Sequence, residues 1–199
     1  MLQRGFSATS VDAVLARASV AKGGFFHHFA SKNALGLALV ERYAEMDERL
    51  LDELIADAEA ASEDPAERVL TFLRAFELGA AELAREQPGC LFAAFVHERE
   101  LGVPGVDEVI AKSMLHWRAR LLAMLEAAGA AHPPSVDADL PSLADQALAL
   151  FEGGFILARA LDDRDVMRRQ LAHLRHYVAL LFGVPAEVPP RDEPAALPA

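Results

Sequence analysis

The sequence predicts an all-α protein: a small helix-turn-helix head followed by a larger helical body. Three observations carry this. Ala, Leu, Glu and Arg outweigh the β-branched and aromatic residues that favour strands, in a chain that is 53% hydrophobic. Apolar residues recur every three or four positions in segments punctuated by Pro and Gly. Near the start, Thr9 to Lys32 reads as two short helices around a tight turn, the second opened by Lys22-Gly23-Gly24, with a long helix leaving from Ser31-Lys32. That is the layout of an element whose second helix enters a DNA groove.

Bulk properties narrow the class. The chain has 199 residues and charged residues make up 25%, so a packed core is expected. One cysteine, Cys90, excludes an internal disulfide framework and multi-cysteine zinc patterns. The most apolar run, Ala147 to Leu161, is interrupted by Glu152 and Arg159, so it is expected as a buried helix and not a membrane span. No signal peptide is evident, and a cytoplasmic protein is expected. The net charge is -11, yet the first 33 residues carry +3 and the rest -14. Phosphate attraction is screened over ~10 Å at moderate salt, so the local sign decides, and it is compatible with DNA binding.

In chain order, Gly5-Phe6 reads as a helix C-cap followed by a hydrophobic anchor, the last turn of an otherwise missing first helix. An upstream start codon is the expected explanation. Thr9 is the expected N-cap of a helix running to about Ala18, with Asp12 three residues on. Ser19-Val20 makes the turn, and Lys22 to Phe29 forms the second helix with Phe25 and Phe29 inward. Ser31 caps the next helix, whose stripe of Leu35, Leu39, Tyr43, Met46, Leu50 and Leu54 continues to about Ala61. At 1.5 Å per residue it spans roughly 45 Å, a length that suits a lever between domains. After Ser62–Pro65 comes a helix with Val69, Phe72, Leu73, Phe76, Ala80 and Leu83 inward, stopped by Pro88-Gly89. A short helix is expected from Cys90 to about Leu101, and another from the Gly102–Gly105 turn to Gly129. His132 to Pro141 reads as a loop, and two helices close the body, about Ser142–Leu161 and Asp165–Phe182. The first of these is apolar on nearly every side and must be covered on more than one. Residues 184–199 are Pro-rich without apolar period, an expected disordered tail. The domains are thus 1–45, 46–183 and the tail.

The stretch from Gly5 to Leu35 resembles the N-terminal signature of the TetR family of bacterial transcriptional regulators. The pattern Gly-Phe-x-x-Thr-Ser/Thr, a short helix, then Ala-Gly-Val-Ser-Lys-Gly-x-Leu/Phe-Tyr-x-His-Phe-x-Ser-Lys-x-x-Leu is met at Gly5-Phe6, Thr9-Ser10, Ala18, Val20, Lys22-Gly23, Phe25, His28-Phe29, Ser31-Lys32 and Leu35. It departs at Ser19 (family glycine), Ala21 (family N-cap serine) and Phe26 (family tyrosine). The Pro88-Gly89-Cys90-Leu91 entry to a short helix, with Trp117 in the next, is similar to a subset of these regulators.

The resemblance implies an all-helical homodimer that binds double-stranded operator DNA and is released by a small-molecule effector, most simply an apolar or amphipathic one acting on a repressor. It implies DNA contacts from Thr9, Ser10, Lys22, Gly23, Gly24, Phe26, His27, His28 and Lys32. Hydroxyls and free N–H groups at a helix start suit a phosphate, and glycines allow close backbone approach. It implies a bundle of the last two helices across the dimer, which places Phe151, Gly154, Ala158, Leu171, Leu174 and Val178 at the interface. Adjacent Gly153-Gly154 would there permit close approach of a partner helix.

For Phe72, Phe76, Phe92, Phe95, Trp117, Phe151 and Phe155, plain core packing competes with lining an effector pocket, since interhelical pockets are built from such residues. Cys90 at a helix start reads either as a sensitised thiol or as a buried structural cysteine, the latter being expected. His97, Glu98 and Glu100, and the His173/His176 pair, could be arranged as metal ligands, but two histidines at i, i+3 are usually solvated and no third ligand is evident at metal-site spacing, so neither metal nor cofactor is expected. Two rival functions remain. An all-helical enzyme would need a catalytic motif, and no phosphate loop or nucleophile elbow is present. A helical interaction protein of the same fold would have lost DNA binding.

Overall fold

The computed structural model describes residues 5–87, 89–98 and 102–186. These form eight α-helices joined by turns, with no strand among the described residues: α1 Val11–Ala18, α2 Lys22–His28, α3 Lys32–Ala61, α4 Pro65–Glu86, α5 Leu91–Val96, α6 Val106–Ala131, α7 Leu140–Leu161 and α8 Val166–Phe182. The head is α1, α2 and the first turns of α3. The body packs α3 against α4 and α6, with α8 seated on α4 and α7. Because α3 runs unbroken from Lys32 to Ala61, the expected boundary at residue 45 falls inside a helix.

Capping chemistry places four of the eight helix starts, those of α1, α3, α4 and α7. Ser31 Oγ accepts from the Ala34 N–H at 3.1 Å, and Asp64 accepts from Ala66 and Glu67 with Pro65 in the first turn. At α1 the cap is Ser10, which accepts from Ala13 at 3.1 Å, and not Thr9. Ser10 is the last extended residue before the helix, while the Thr9 hydroxyl is already engaged, donating to the Gly5 carbonyl at 2.8 Å. α7 begins at Leu140, two residues before the expected start, because Asp139 caps it and Pro141 is tolerated in its first turn.

α5 ends at Val96, short of Leu101, which lies outside the described residues. His97 and Glu98 donate to the Ala93 and Phe95 carbonyls, tightening the chain into a turn. The Met1–Arg4 segment, where the truncated first helix was expected, also lies outside the described residues, as does the tail from residue 187. Residues 184–186 are not detached: Val184 donates to the Ala179 carbonyl, and Val184 and Ala186 pack on the core.

On α3 the buried residues are Leu35, Gly36, Val40, Ala44, Leu50, Leu51, Leu54, Ile55 and Ala58, so Leu35, Leu50 and Leu54 of the expected stripe are buried as expected. Leu39, Tyr43 and Met46 are only half buried. The buried face is wider than the stripe and takes in the adjoining row of Gly36, Val40, Ala44, Leu51, Ile55 and Ala58. At Gly36, a Cβ would fall within 2.9 Å of the Phe6 ring.

The turn of the head is strained where the chain departs from the family pattern. Ser19 sits in the left-handed region at φ 56°, and Ala21 at the start of α2 makes no side-chain cap bond. Ser19→Gly and Ala21→Ser are each expected to stabilise the head by about 1 kcal/mol. Thermal unfolding followed by circular dichroism checks this, and an unchanged midpoint with native helix content would refute the strain.

Candidate functional site

The outward face of α2 carries Lys22, Gly23, Gly24, Phe26, His27 and His28, all exposed. Phe25 is the buried residue of this helix; its ring meets Phe29 at 5.7 Å and Phe26 edge-on at 5.1 Å. Phe26 nonetheless stays 48% exposed, a large ring left at the surface beside two histidines. A Cβ at Gly23 would meet nothing within 4 Å, so nothing inside the protein demands glycine there, whereas Gly24 lies against Val20. Helix propensity disfavours both by about 1 kcal/mol relative to alanine. The Ser10 hydroxyl is exposed at the start of α1, and Thr9 is partly covered. Lys32 differs from the other expected contacts: its Nζ donates to the Ser7 carbonyl at 3.0 Å and lies 4.5 Å from the Phe6 ring centre. It braces the head.

The body holds two connected chambers. The inner one has about 40 Å³ of room for water-sized bodies, between Tyr43, Asp47 and Leu50 of α3, Phe76 and Leu83 of α4, Met114 and Trp117 of α6, and Leu148, Phe151 and Glu152 of α7. The outer one, about 380 Å³, lies between α5 and α7 and is bordered by Phe155, Ile156, His97 and Arg159. Cys90, Phe92, Met114 and Glu152 line both, so these four residues form the junction where the two chambers adjoin.

Of the seven aromatics singled out by sequence, Phe76, Phe92, Trp117 and Phe151 face the inner chamber and Phe155 the outer. Phe72 does neither. It is fully buried 6.2 Å from both Phe76 and Trp117, a second row of core behind the wall. Phe95 points the other way, onto Phe6 of the head at 4.8 Å. As chamber lining, Tyr43, Asp47, Cys90 and Glu152 escaped sequence reading: Tyr43 was expected in the apolar stripe of α3, Cys90 as a buried structural cysteine, and Glu152 only as the acid interrupting an apolar run.

These polar groups are linked. Trp117 Nε1 and Ser113 Oγ both donate to Asp47 Oδ2, at 2.6 and 3.1 Å. Burial outweighs these bonds and pushes the Asp47 carboxyl up to about 6. Burial likewise raises Glu152, which receives the Cys90 thiol. Burial, then the charge of Glu152, lifts that thiol well above its ordinary range, and burial lifts the neighbouring Tyr43 hydroxyl. Cys90 is a neutral, buried thiol, as a structural cysteine should be. Among the described residues no group of three or more His, Cys, Asp or Glu could hold a metal ion. No helix among them is long and apolar enough to cross a membrane.

α5 ties the chambers to the head. Its first residues line them, while Phe95 near its end meets Phe6 and Glu98, in the turn just beyond it, meets Ser7. Glu98 Oε2 accepts from the Ser7 N–H at 2.7 Å and from its hydroxyl at 2.6 Å. The Ser7 hydroxyl bond is the main influence holding the Glu98 carboxyl below its usual range, with Lys32 adding to it. Gly5, at φ 83°, lies so close that a Cβ would collide with Glu98 Oε1.

The expected dimer residues are placed differently from the expectation. Leu171, Leu174 and Val178 are 1–3% exposed and pack within their own chain. Gly154 admits Met167 of α8, whose Cγ would lie 2.7 Å from a Cβ there, and Phe151 stacks between Phe76 and Phe155. Ala158 is half buried. An all-round apolar helix does not reveal which side the rest of its own chain will take. The outward apolar residues of α7 and α8 are Ile156, Leu157, Leu161, Tyr177 and Leu180, of which Leu180 is 75% exposed.

An exposed recognition helix on a helical body with an internal chamber defines a DNA-binding regulator. The chain belongs to the TetR family: residues 1–39 match the bacterial regulatory proteins of the tetR family, and residues 65–174 match the tetracyclin repressor-like C-terminal domain. It is 30% identical over 159 residues to the transcriptional regulator AcuR of Cereibacter sphaeroides, covering 80% of this chain and 71% of AcuR. It is 38% identical over 71 residues to the transcriptional repressor NemR of Escherichia coli K12, covering 36% of this chain and 34% of NemR. Among solved structures it is similar to a regulatory protein TetR from Rhodobacter sphaeroides, with TM-score 0.70 and 27% identity over 90% of this chain and 92% of that one. Reduced E. coli NemR superposes with TM-score 0.65 and 26% identity over 88% and 89%. The protein is a transcriptional regulator and not an enzyme.

Proposed function

We propose that this regulator is a cytoplasmic homodimeric repressor, released from its operator when a small apolar or amphipathic effector occupies the chambers. The observation that carries the reading is the shared segment around α5: Cys90, its N-cap, and Phe92 line the chamber walls, while Phe95 and Glu98, the latter in the turn just after the helix, seat the head. An effector that displaces α5 must change the Phe6 and Ser7 contacts, and with them the placement of α1 and α2. NemR and DhaR, two relatives, are described as transcriptional repressors. Dimerisation is assigned to the outward face of α7 and α8, since Ile156, Leu157, Leu161 and Leu180 are otherwise left to water.

On DNA, Lys22 and His28 reach bases or phosphates, Ser10 and Thr9 serve a phosphate near the start of α1, and Gly23 lets the backbone approach. Phe26, His27 and Gly24 complete the contact face, while Lys32 acts mainly by holding Ser7. Gel shift on the gene's own flanking DNA tests this. Lys22→Ala and His28→Ala are each expected to weaken specific binding by about 1–3 kcal/mol without altering the oligomeric state. Binding unaffected by either change would overturn the contact assignment, and no specific shift at all would favour an interaction protein.

A further inference from the structure

Resting on the effector reading above, we propose that the chambers are built for an organic cation, an ammonium group carrying an apolar or aromatic body, with the ammonium held by Glu152 and Asp47. Glu152 lines both chambers and Asp47 closes the inner one, so a group at the junction has carboxyl oxygens on the α3 and α7 sides. Among the described residues lining the inner chamber there is no lysine, arginine or histidine. The basic residues His97 and Arg159 border only the outer chamber. The walls between the carboxyls are the rings of Phe76, Phe92, Trp117 and Phe151, whose faces attract a cation. The inner room of about 40 Å³ suits a small head group, and the outer room of about 380 Å³ suits its body.

Charge sorts the candidates. A carboxylate or phosphate ligand in the inner chamber would meet two acids and no basic residue in its lining; the nearby bases, His97 of the outer chamber and His116 of α6, do not line it. An uncharged ligand would leave Asp47 with only its Trp117 and Ser113 bonds and Glu152 with the Cys90 thiol, and no counter-charge in that chamber. A cation supplies the missing charge. The groups facing Asp47 are Glu48 on its own helix, His116, Trp117 and Ser113 of α6, Tyr43, and Glu152 of α7. With its carboxyl at about 6, cation affinity falls as the pH drops through that value, because protonation removes the charge the ligand needs.

Titration calorimetry and thermal shift with phenylpropylammonium, phenylpropanol and phenylpropanoate, three probes of one shape, provide the test. The ammonium is expected to bind at least about tenfold more tightly than the alcohol, with the carboxylate weakest. Glu152→Gln removes the preference, bringing ammonium and alcohol affinities to within about threefold of each other; if it does not fold, Asp47→Asn serves the same purpose. Equal or tighter binding of the alcohol or the carboxylate overturns the proposal. So does the absence of ammonium binding at millimolar concentration, or an undiminished preference in a folded Glu152→Gln. Gel shift on the same preparations separates the two readings. Operator binding without cation preference removes this inference alone, whereas loss of specific DNA binding in the wild type removes the regulator reading whatever the probes do.

Discussion

Glu77→Ala is expected to destabilise the protein by about 3–5 kcal/mol, a drop in thermal midpoint of roughly 6–20 °C for a chain of this size. Glu77 lies in the middle of α4, fully buried between α4 and α8. Its Oε1 takes Arg74 Nη1 at 2.6 Å and its Oε2 takes Arg175 Nε at 3.1 Å, with Arg168 further out at 3.8 Å. Arg175 is itself buried and also donates to the Ala186 carbonyl, which holds the end of the described chain against the core. Truncating the acid leaves a guanidinium buried without its counter-charge, and that orphaned charge accounts for most of the cost. The double change Glu77→Leu with Arg175→Met is therefore expected to lie much closer to the wild type than either single variant. Equilibrium urea unfolding of all three reads this. A single-variant loss below about 1 kcal/mol would show the pair to be no better than a surface bridge.

Ile156→Glu combined with Leu180→Glu is expected to convert the proposed homodimer into monomers at micromolar concentration and to cost the operator complex more than any single DNA-contact change. Ile156 is 61% exposed on α7 and Leu180 75% exposed on α8. Fully burying a side chain of this size contributes about 1.5–3 kcal/mol, and a symmetric interface counts each residue twice. A carboxylate there would be desolvated against its own copy. In the proposed dimer two joined heads read two half-sites, so losing the join loses the gain from binding the second half-site as an intramolecular step. Light scattering and gel shift report the two effects. A persistent dimer would move the interface off this face. A bulky residue at Gly154 instead disturbs α7 against α8 within one chain, because Met167 already fills that space.

The head was readable from sequence because its determinants are local. A cap, a turn and an i, i+4 aromatic pair each act within a few residues, and Ser31, Phe25 and Phe29 stand as their spacing implies. The same locality exposed the weak turn at Ser19 and Ala21. What stayed hidden depends on which neighbour a residue meets. Glu77 follows Phe76 on an amphipathic helix and reads as a surface acid until α8 brings Arg175 to it. Leu171, Leu174 and Val178 have the spacing of an interface, but an apolar stripe does not say whether its partner is the same chain or another copy. Asp47 is one acid among many on α3, and only its position opposite Trp117 marks it. Phe72 and Phe76 differ by a single helical turn, yet one is core and the other chamber wall.

The contacts of α5 with Phe6 and Ser7 also set what a binding measurement on this protein means. In the proposed mechanism the effector and operator sites are coupled through α5, and a coupling free energy is reciprocal: whatever factor the effector takes from operator affinity, the operator takes from effector affinity. An effector titrated against free protein will therefore bind more tightly than the same effector titrated against protein held on DNA. Adding operator to the titration should weaken effector binding by the factor that gel shift reports in the other direction. The Glu98–Ser7 pair is where that factor can be tuned without touching either ligand.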